Sequence, residues 1–205
     1  HLSELADAGT LDPAHVFLDS PMAITATDLY ERAVAEHDEE LVEMIDAGSN
    51  PLADDRFTHV RTVDESKRLN ARRGPAVIVA ASGMATGGRV VHHLLHKLGD
   101  AKNAVVFVGY QAGGTRGRSL VDGADMVPIF GSSVPVRAEI HYLRGLSAHA
   151  DREELLRWCR ELPGVPERIF LNHGEDPARK ALETAIREMG WPRPLLPLPG
   201  DVHPF

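Results

Sequence analysis

Between residues 76 and 108 the chain runs apolar, small, amphipathic and apolar again: Ala76 to Ala81, the loop Ser82 to Gly88, the stretch Arg89 to Leu98, then Ala104 to Val108. That succession predicts a βαβ unit, two parallel strands joined by a right-handed helical crossover. Strands buried on both faces need no polar alternation, which explains why these two are nearly continuous in Val, Ile and Ala. The expected fold class is therefore α/β with a parallel sheet.

Flanking segments extend the pattern. His15 to Leu18 is a short apolar run stopped by Asp19-Ser20-Pro21, and a helix is expected next, capped by Thr27 and closed by Gly48 and Pro51. A short strand is expected at 59–63, then a polar helical turn from Asp64 to Asn70. Beyond a second glycine-rich loop, Gly109 to Gly117, the period changes: Val134, Val136, Ala138, Ile140 and Tyr142 alternate with polar residues, as a strand with one wet face does. The change suggests a different sheet and a domain boundary near Ser133, dividing 1–133 from 134–205. Asp151 and Glu154 have capping-box spacing for a helix carrying Leu155, Cys159 and Leu162 on one face. Arg168 to Leu171 reads as a strand, and Asp176-Pro177 as the cap and first residue of a helix ending at Gly190.

Composition narrows the functional classes. No apolar run approaches the roughly 18 residues of a membrane span, so no membrane partner is expected. The single cysteine, Cys159, excludes an internal disulfide and a multi-cysteine zinc cage, and points to a reducing compartment, the cytoplasm. Thirty acidic against 22 basic residues, a formal net charge of -8, argue against a protein that coats nucleic acid generally, while leaving room for a local basic site. His1 to Ala8 reads as the tail of a helix without an N-cap, so a fragment or processed piece is expected.

Chemistry gathers at strand ends, where loops converge and helix N-termini offer unpaired N–H groups. His149 follows one predicted strand and His173 another, and an imidazole held there suits metal ligation or proton transfer. Each alone is weak, since a single loop histidine is more often a structural hydrogen-bonding residue. Neither HxH nor HExxH spacing occurs to complete a metal site. The loop Ser82, Gly83, Met84, Ala85, Thr86, Gly87, Gly88, Arg89 offers backbone N–H groups, hydroxyls and a guanidinium to a phosphate, without matching the Walker or GxGxxG spacing. The loop 113–118, with Thr115, Arg116 and Arg118, strengthens that expectation if it folds nearby. His92 and His96 share a helix face but lack matching carboxylates, so a solvated face is expected; Asp19 in Asp-Ser-Pro reads first as a turn residue and second as an acid.

Taken in order, Asp19-Ser20-Pro21-Met22-Ala23, Ser82-Gly83-Met84 to Gly87-Gly88-Arg89, Gly109-Tyr110-Gln111 with Gly114-Thr115, Ser147-Ala148-His149-Ala150-Asp151 and His173-Gly174-Glu175 resemble the C-terminal half of a β-CASP metallo-β-lactamase-type RNA nuclease. The similarity is to prokaryotic relatives of the nuclease that cleaves pre-mRNA before polyadenylation. It implies a two-zinc phosphodiesterase acting on RNA, with His149 as the general acid on the leaving oxygen and His173 as a zinc ligand. Ser147, Thr115 and the Ser82 to Arg89 loop would border the RNA phosphates. It implies a β-CASP portion over 1–133 and, over 134–205, a segment that completes a metallo-β-lactamase-type domain. The family's HxHxDH motif is absent from these residues, as are its further histidine, bridging aspartate and acidic first β-CASP motif. On this resemblance the chain cannot assemble the dinuclear zinc centre alone, needs an N-terminal metallo-β-lactamase half as partner, and exposes apolar surface on 134–205 where that half packs, with homodimerisation as another outcome. Two other readings stay open: a non-catalytic RNA-binding or assembly module, and a phosphate- or nucleotide-binding α/β protein using the Ser82 to Arg89 loop.

Overall fold

The computed structural model describes residues 1–12, 15–48, 50–52, 54, 56–146 and 149–203. Contacts group into two compact units, His1–Ser147 and Ala148–Phe205. The first is mixed α/β with a parallel sheet, the fold class expected from the sequence.

In the first unit, α1 (Leu2–Asp7) precedes β1 (Val16–Leu18), the centre of a parallel sheet. On one side lies β2 (Thr58–His59), with Phe17 opposite Thr58, and on the other β3 (Val77–Val79), with Phe17 opposite Ile78. The single helix expected after β1 is two. The Ser20 hydroxyl, not Thr27, caps α2 (Pro21–Arg32), accepting from Ala23 N at 3.2 Å, because Pro21 fixes a helical φ at the first turn and moves the start upstream. A 3-10 turn (Val34–Glu36) follows, and Asp38 caps α3 (Glu39–Asp46). The strand expected at 59–63 shrinks to β2, because Thr62 and Glu65 form a capping box that starts α4 (Val63–Ala71).

A correction concerns the expected βαβ pairing. The helix α5 (Gly88–Lys97) does join β3 to β4 (Ala104–Phe107), but these strands are not hydrogen-bonded neighbours. Instead β4 pairs in parallel with β7 (Glu139–Tyr142), setting Val106 opposite His141. Nor are the strands covered on both faces: Val106 is 51% exposed. The alternating stretch from Val134 is two strands. Its start belongs to β6 (Ser132–Pro135), in an antiparallel hairpin with β5 (Met126–Ile129), and its end is β7. The hairpin turns through Phe130 (φ +48°) and Gly131 (φ +77°), the positive pair that matches the twist of a two-residue loop. The short helix α6 (Arg116–Val121) precedes this hairpin; Leu98, Leu120, Val127 and Ile129 form the centre of the core there.

The second unit is smaller. The Asp151 and Glu154 capping box starts α7 (Arg152–Glu161) as expected, though Leu156 and Cys159 are the buried residues and Leu155 is exposed. The strand expected at 168–171 is one parallel bridge, Phe170 with Leu195. The helix α8 (Asp176–Glu188) has Glu175 at its N-cap, one residue before the predicted cap. Leu156, Ala185 and Ile186 bury α7 against α8. Exposed apolar side chains occur on 134–205, as expected, with Trp158 at 62%, but also earlier, at Met22, Val34 and Phe130. No helix among the described residues is long and apolar enough to cross a membrane.

Candidate functional site

The two glycine-rich loops fold against each other. The loop 82–87 leaves β3 and enters α5 through Gly87, which supplies no side-chain cap, so the first N–H groups of α5 lack a side-chain partner. Glycine is required at 88: its φ is +70°, and a Cβ there would sit 3.1 Å from the Ala81 carbonyl oxygen. From the second loop, Gln111 (2% exposed) sets its Nε2 within 2.8 Å of Gly83 O, 3.0 Å of Gly109 O and 3.1 Å of Tyr110 O. Gly117 N donates to Met84 O at 3.0 Å, Ala112 N to Met84 Sδ at 3.3 Å, and Arg116 to the Ala85 and Pro128 carbonyls. A Cβ on Gly117 would fall 1.7 Å from Gln111 Oε1, so only glycine allows this approach.

Several predicted phosphate contacts turn out to be engaged within the protein. The Thr115 hydroxyl donates to Ala112 O at 2.7 Å and accepts from Arg118 N at 3.2 Å, capping α6. Met84 contributes its sulfur to the loop contact just described. Gly83, Thr86 and Gly88 are exposed, while Ser82 and Gly87 are half-buried. Ser147 lies outside the described residues.

Arg89 belongs to a buried polar network that the sequence does not announce. Asp19, at the end of β1, is 0% exposed. Its Oδ1 accepts from Arg89 Nη1 at 2.6 Å; its Oδ2 accepts from Ser66 Oγ at 2.6 Å and lies 2.6 Å from His93 Nε2. Arg89 also donates to Val60 O at 2.8 Å and to Arg61 O at 3.0 Å, and His93 Nδ1 stands 2.6 Å from Asn70 Oδ1. The network ties β1, α4 and α5 together below the loop, so the guanidinium expected to face phosphate points inward. Burial holds the His93 imidazole below its ordinary pKa, against the pull of Asp19 and with Lys97 and His92 adding to the depression. Asp19 looked like a turn residue, and His93 part of a solvated cluster. The available signal was Arg89 and His93 at i and i+4, facing one way toward a strand-end acid. His92 and His96 are exposed, as expected, with the His92 ring 4.9 Å from that of Phe130.

In the second unit His149 lies just before the Asp151 cap of α7, and His173 between the Phe170 bridge and α8; both are exposed. Among the described residues no three His, Cys, Asp or Glu side chains come together in a way that could hold a metal ion. The chain's own donors therefore do not make a zinc site.

Comparison with known proteins adds to this picture. Residues 1–120 match the Beta-Casp domain, and residues 133–193 the Zn-dependent metallo-hydrolase RNA specificity domain. Ribonuclease TTHA0252 of Thermus thermophilus is 44% identical over 172 residues, which cover 84% of this chain and 39% of that protein. The transcription termination factor FttA of Pyrococcus abyssi is 33% identical over 191 residues, 90% of this chain and 29% of the relative. An RNase J-like protein of Methanocaldococcus jannaschii is 33% identical over 168 residues, 82% and 37%. The chain thus spans two fifths or less of the length of these relatives.

Proposed function

Because the chain belongs to the β-CASP family, we propose that it is the C-terminal region of a zinc-dependent ribonuclease that hydrolyses RNA phosphodiester bonds in the cytoplasm. One observation carries the reading: a Beta-Casp match followed in the same chain by a match to an RNA specificity domain. The names of the relatives, a ribonuclease and an RNase J-like protein, agree with it. On this reading 1–133 is the β-CASP portion and 134–205 the segment that completes a metallo-β-lactamase-type domain.

The described residues do not fit a zinc site by themselves, so no step is assigned here through the metal; HxHxDH, absent from the 205 residues, comes from a further polypeptide segment. His173 contributes one donor to that centre. The proton for the leaving oxygen comes from the His149 ring. The exposed loop backbone at Gly83, Thr86 and Gly88, with the side chains of Ser82 and Thr86, borders the RNA phosphates through N–H and O–H groups. Arg89 acts differently from the sequence expectation: it holds the loop from beneath, through Asp19.

The test joins or mixes this chain with an HxHxDH-bearing metallo-β-lactamase half and follows cleavage of labelled RNA with added zinc. Cleavage that requires both polypeptides, and that falls by orders of magnitude in His149→Ala and His173→Ala, is expected. Cleavage indifferent to His149→Ala removes the general-acid role. RNA binding without any gain in cleavage upon complementation favours a non-catalytic RNA-binding module instead.

A further inference from the structure

In a chain of net charge -8, six of the 22 Lys and Arg residues fall between positions 56 and 73. Three of the six have acidic neighbours: Arg56 with Asp7 and Asp54, Arg61 with Asp28, Lys67 with Asp64. Among the described residues Arg68, Arg72 and Arg73 form no ion pair. Arg68, on α4, and Arg72, at its C-cap, share one side at a spacing where like charges repel. Together with His59 they line an open cavity of about 270 Å³ at the β2 edge of the sheet, floored by Phe17 and Leu69. The Arg72 guanidinium lies over the Phe17 ring, its carbon 5.0 Å from the centroid. That contact holds the guanidinium flat and leaves its outer face to solvent, a surface on which nucleobases stack. The one acid in the lining, Glu65, accepts from the backbone of Arg61 at 3.0 Å and of Thr62 at 2.8 Å, so its carboxylate is tied into the helix cap rather than to the arginines.

We infer that this cavity binds one nucleotide of a single-stranded RNA, its phosphate held by Arg68 and His59 and its base laid on the outer face of the Arg72 guanidinium. The inference rests on the RNA reading above and adds a contact remote from the loops assigned there. Planar stacking together with two anion-seeking groups fits a nucleotide better than an acidic peptide, which offers charge without a ring.

The test measures binding of a short fluorescein-labelled oligouridylate to the whole chain by anisotropy across a salt series. Arg68→Ala/Arg72→Ala should weaken binding about tenfold and make the log–log salt slope shallower by about 1.4, roughly 0.7 for each cation lost. Arg72→Lys keeps the charge and loses the plane, so it should weaken binding several-fold with the slope unchanged. Lys102→Ala/Lys180→Ala removes equal charge elsewhere and should bind like the parent. Circular dichroism and urea midpoints verify that these exposed substitutions leave the fold intact. If the parent binds RNA and the cavity variants match it or the charge control, the site is wrong and the RNA reading stands. If the parent does not bind RNA even at low salt, both fall. Equal displacement of the oligonucleotide by polyglutamate would identify an acidic-peptide site and overturn the nucleotide assignment.

Discussion

The loop region of the first unit and the histidine turns of the second represent two ways of holding functional groups. Around residues 82–117 nearly every polar group is fixed from inside: Gln111 and Gly117 lock one loop to the other, and Asp19 gathers Arg89, His93 and Ser66 beneath them. In the second unit the turns are set by caps, the Asp151 and Glu154 box above all, while the His149 and His173 side chains stand exposed. The first arrangement carries its own order and presents backbone groups. The second positions the chain but leaves the working orientation of its rings to whatever they meet. Substitutions should therefore damage stability in the first region and activity in the second.

The largest effect should come from Asp19→Asn. It leaves the inward-pointing Arg89 guanidinium without its counter-charge, at a cost of about 3 kcal/mol. Thermal unfolding of the first unit should drop by roughly 10 °C, with hydrogen-exchange protection lost in 1–147 and retained in 148–205. Equal loss in both units would break the comparison. His93 gives the network a pH signature. Burial depresses its pKa, so the unfolded chain binds a proton on this ring at a pH where the folded chain does not. Its contribution to stability is complete above about pH 6.5 and is lost as pH falls through the folded value. Urea midpoints of the parent should decline over that window, and His93→Gln should flatten the decline.

Gly117→Ala comes next. A methyl group 1.7 Å from Gln111 Oε1 and 3.1 Å from the Met84 carbonyl must expel the glutamine amide. That should cost about 2 kcal/mol by overpacking and loosen both loops, read as faster exchange of the Gly83 to Arg89 amides. On the other side of the comparison, Asp151→Ala removes the acceptor for Glu154 N and should cost about 1 kcal/mol, confined to α7 and its surroundings.

Much of this was legible in the sequence where the signal is local. The α7 capping box, the apolar runs that became β1, β3 and β4, and the glycine-rich loops all declare themselves within a few residues. What stayed hidden depends on partners far apart in sequence. Asp19 meets Arg89 and His93 across 70 and 74 positions, and nothing near Asp-Ser-Pro distinguishes a buried acid from a turn. The pairing of β4 with β7 instead of β3 is equally non-local, since apolar continuity marks a strand without naming its neighbour. The misplaced cap is a local failure of another kind. Thr27 and Ser20 both suit the role, and Pro21 at the first helical turn was the deciding cue.

The smallest expected effect on stability is the most informative about function. His173 is exposed, forms no hydrogen bond or ion pair among the described residues, and lies outside the buried cluster of Leu156, Ala185 and Ile186. His173→Ala should therefore shift the unfolding free energy by no more than about 0.5 kcal/mol. If the ring is a metal donor in the joined enzyme, the same substitution should abolish RNA cleavage and lower the zinc retained after dialysis. Binding of RNA by the loops, whose polar groups are fixed within the first unit, should persist. A variant that loses stability and keeps cleavage would reverse the assignment, making His173 part of the scaffold.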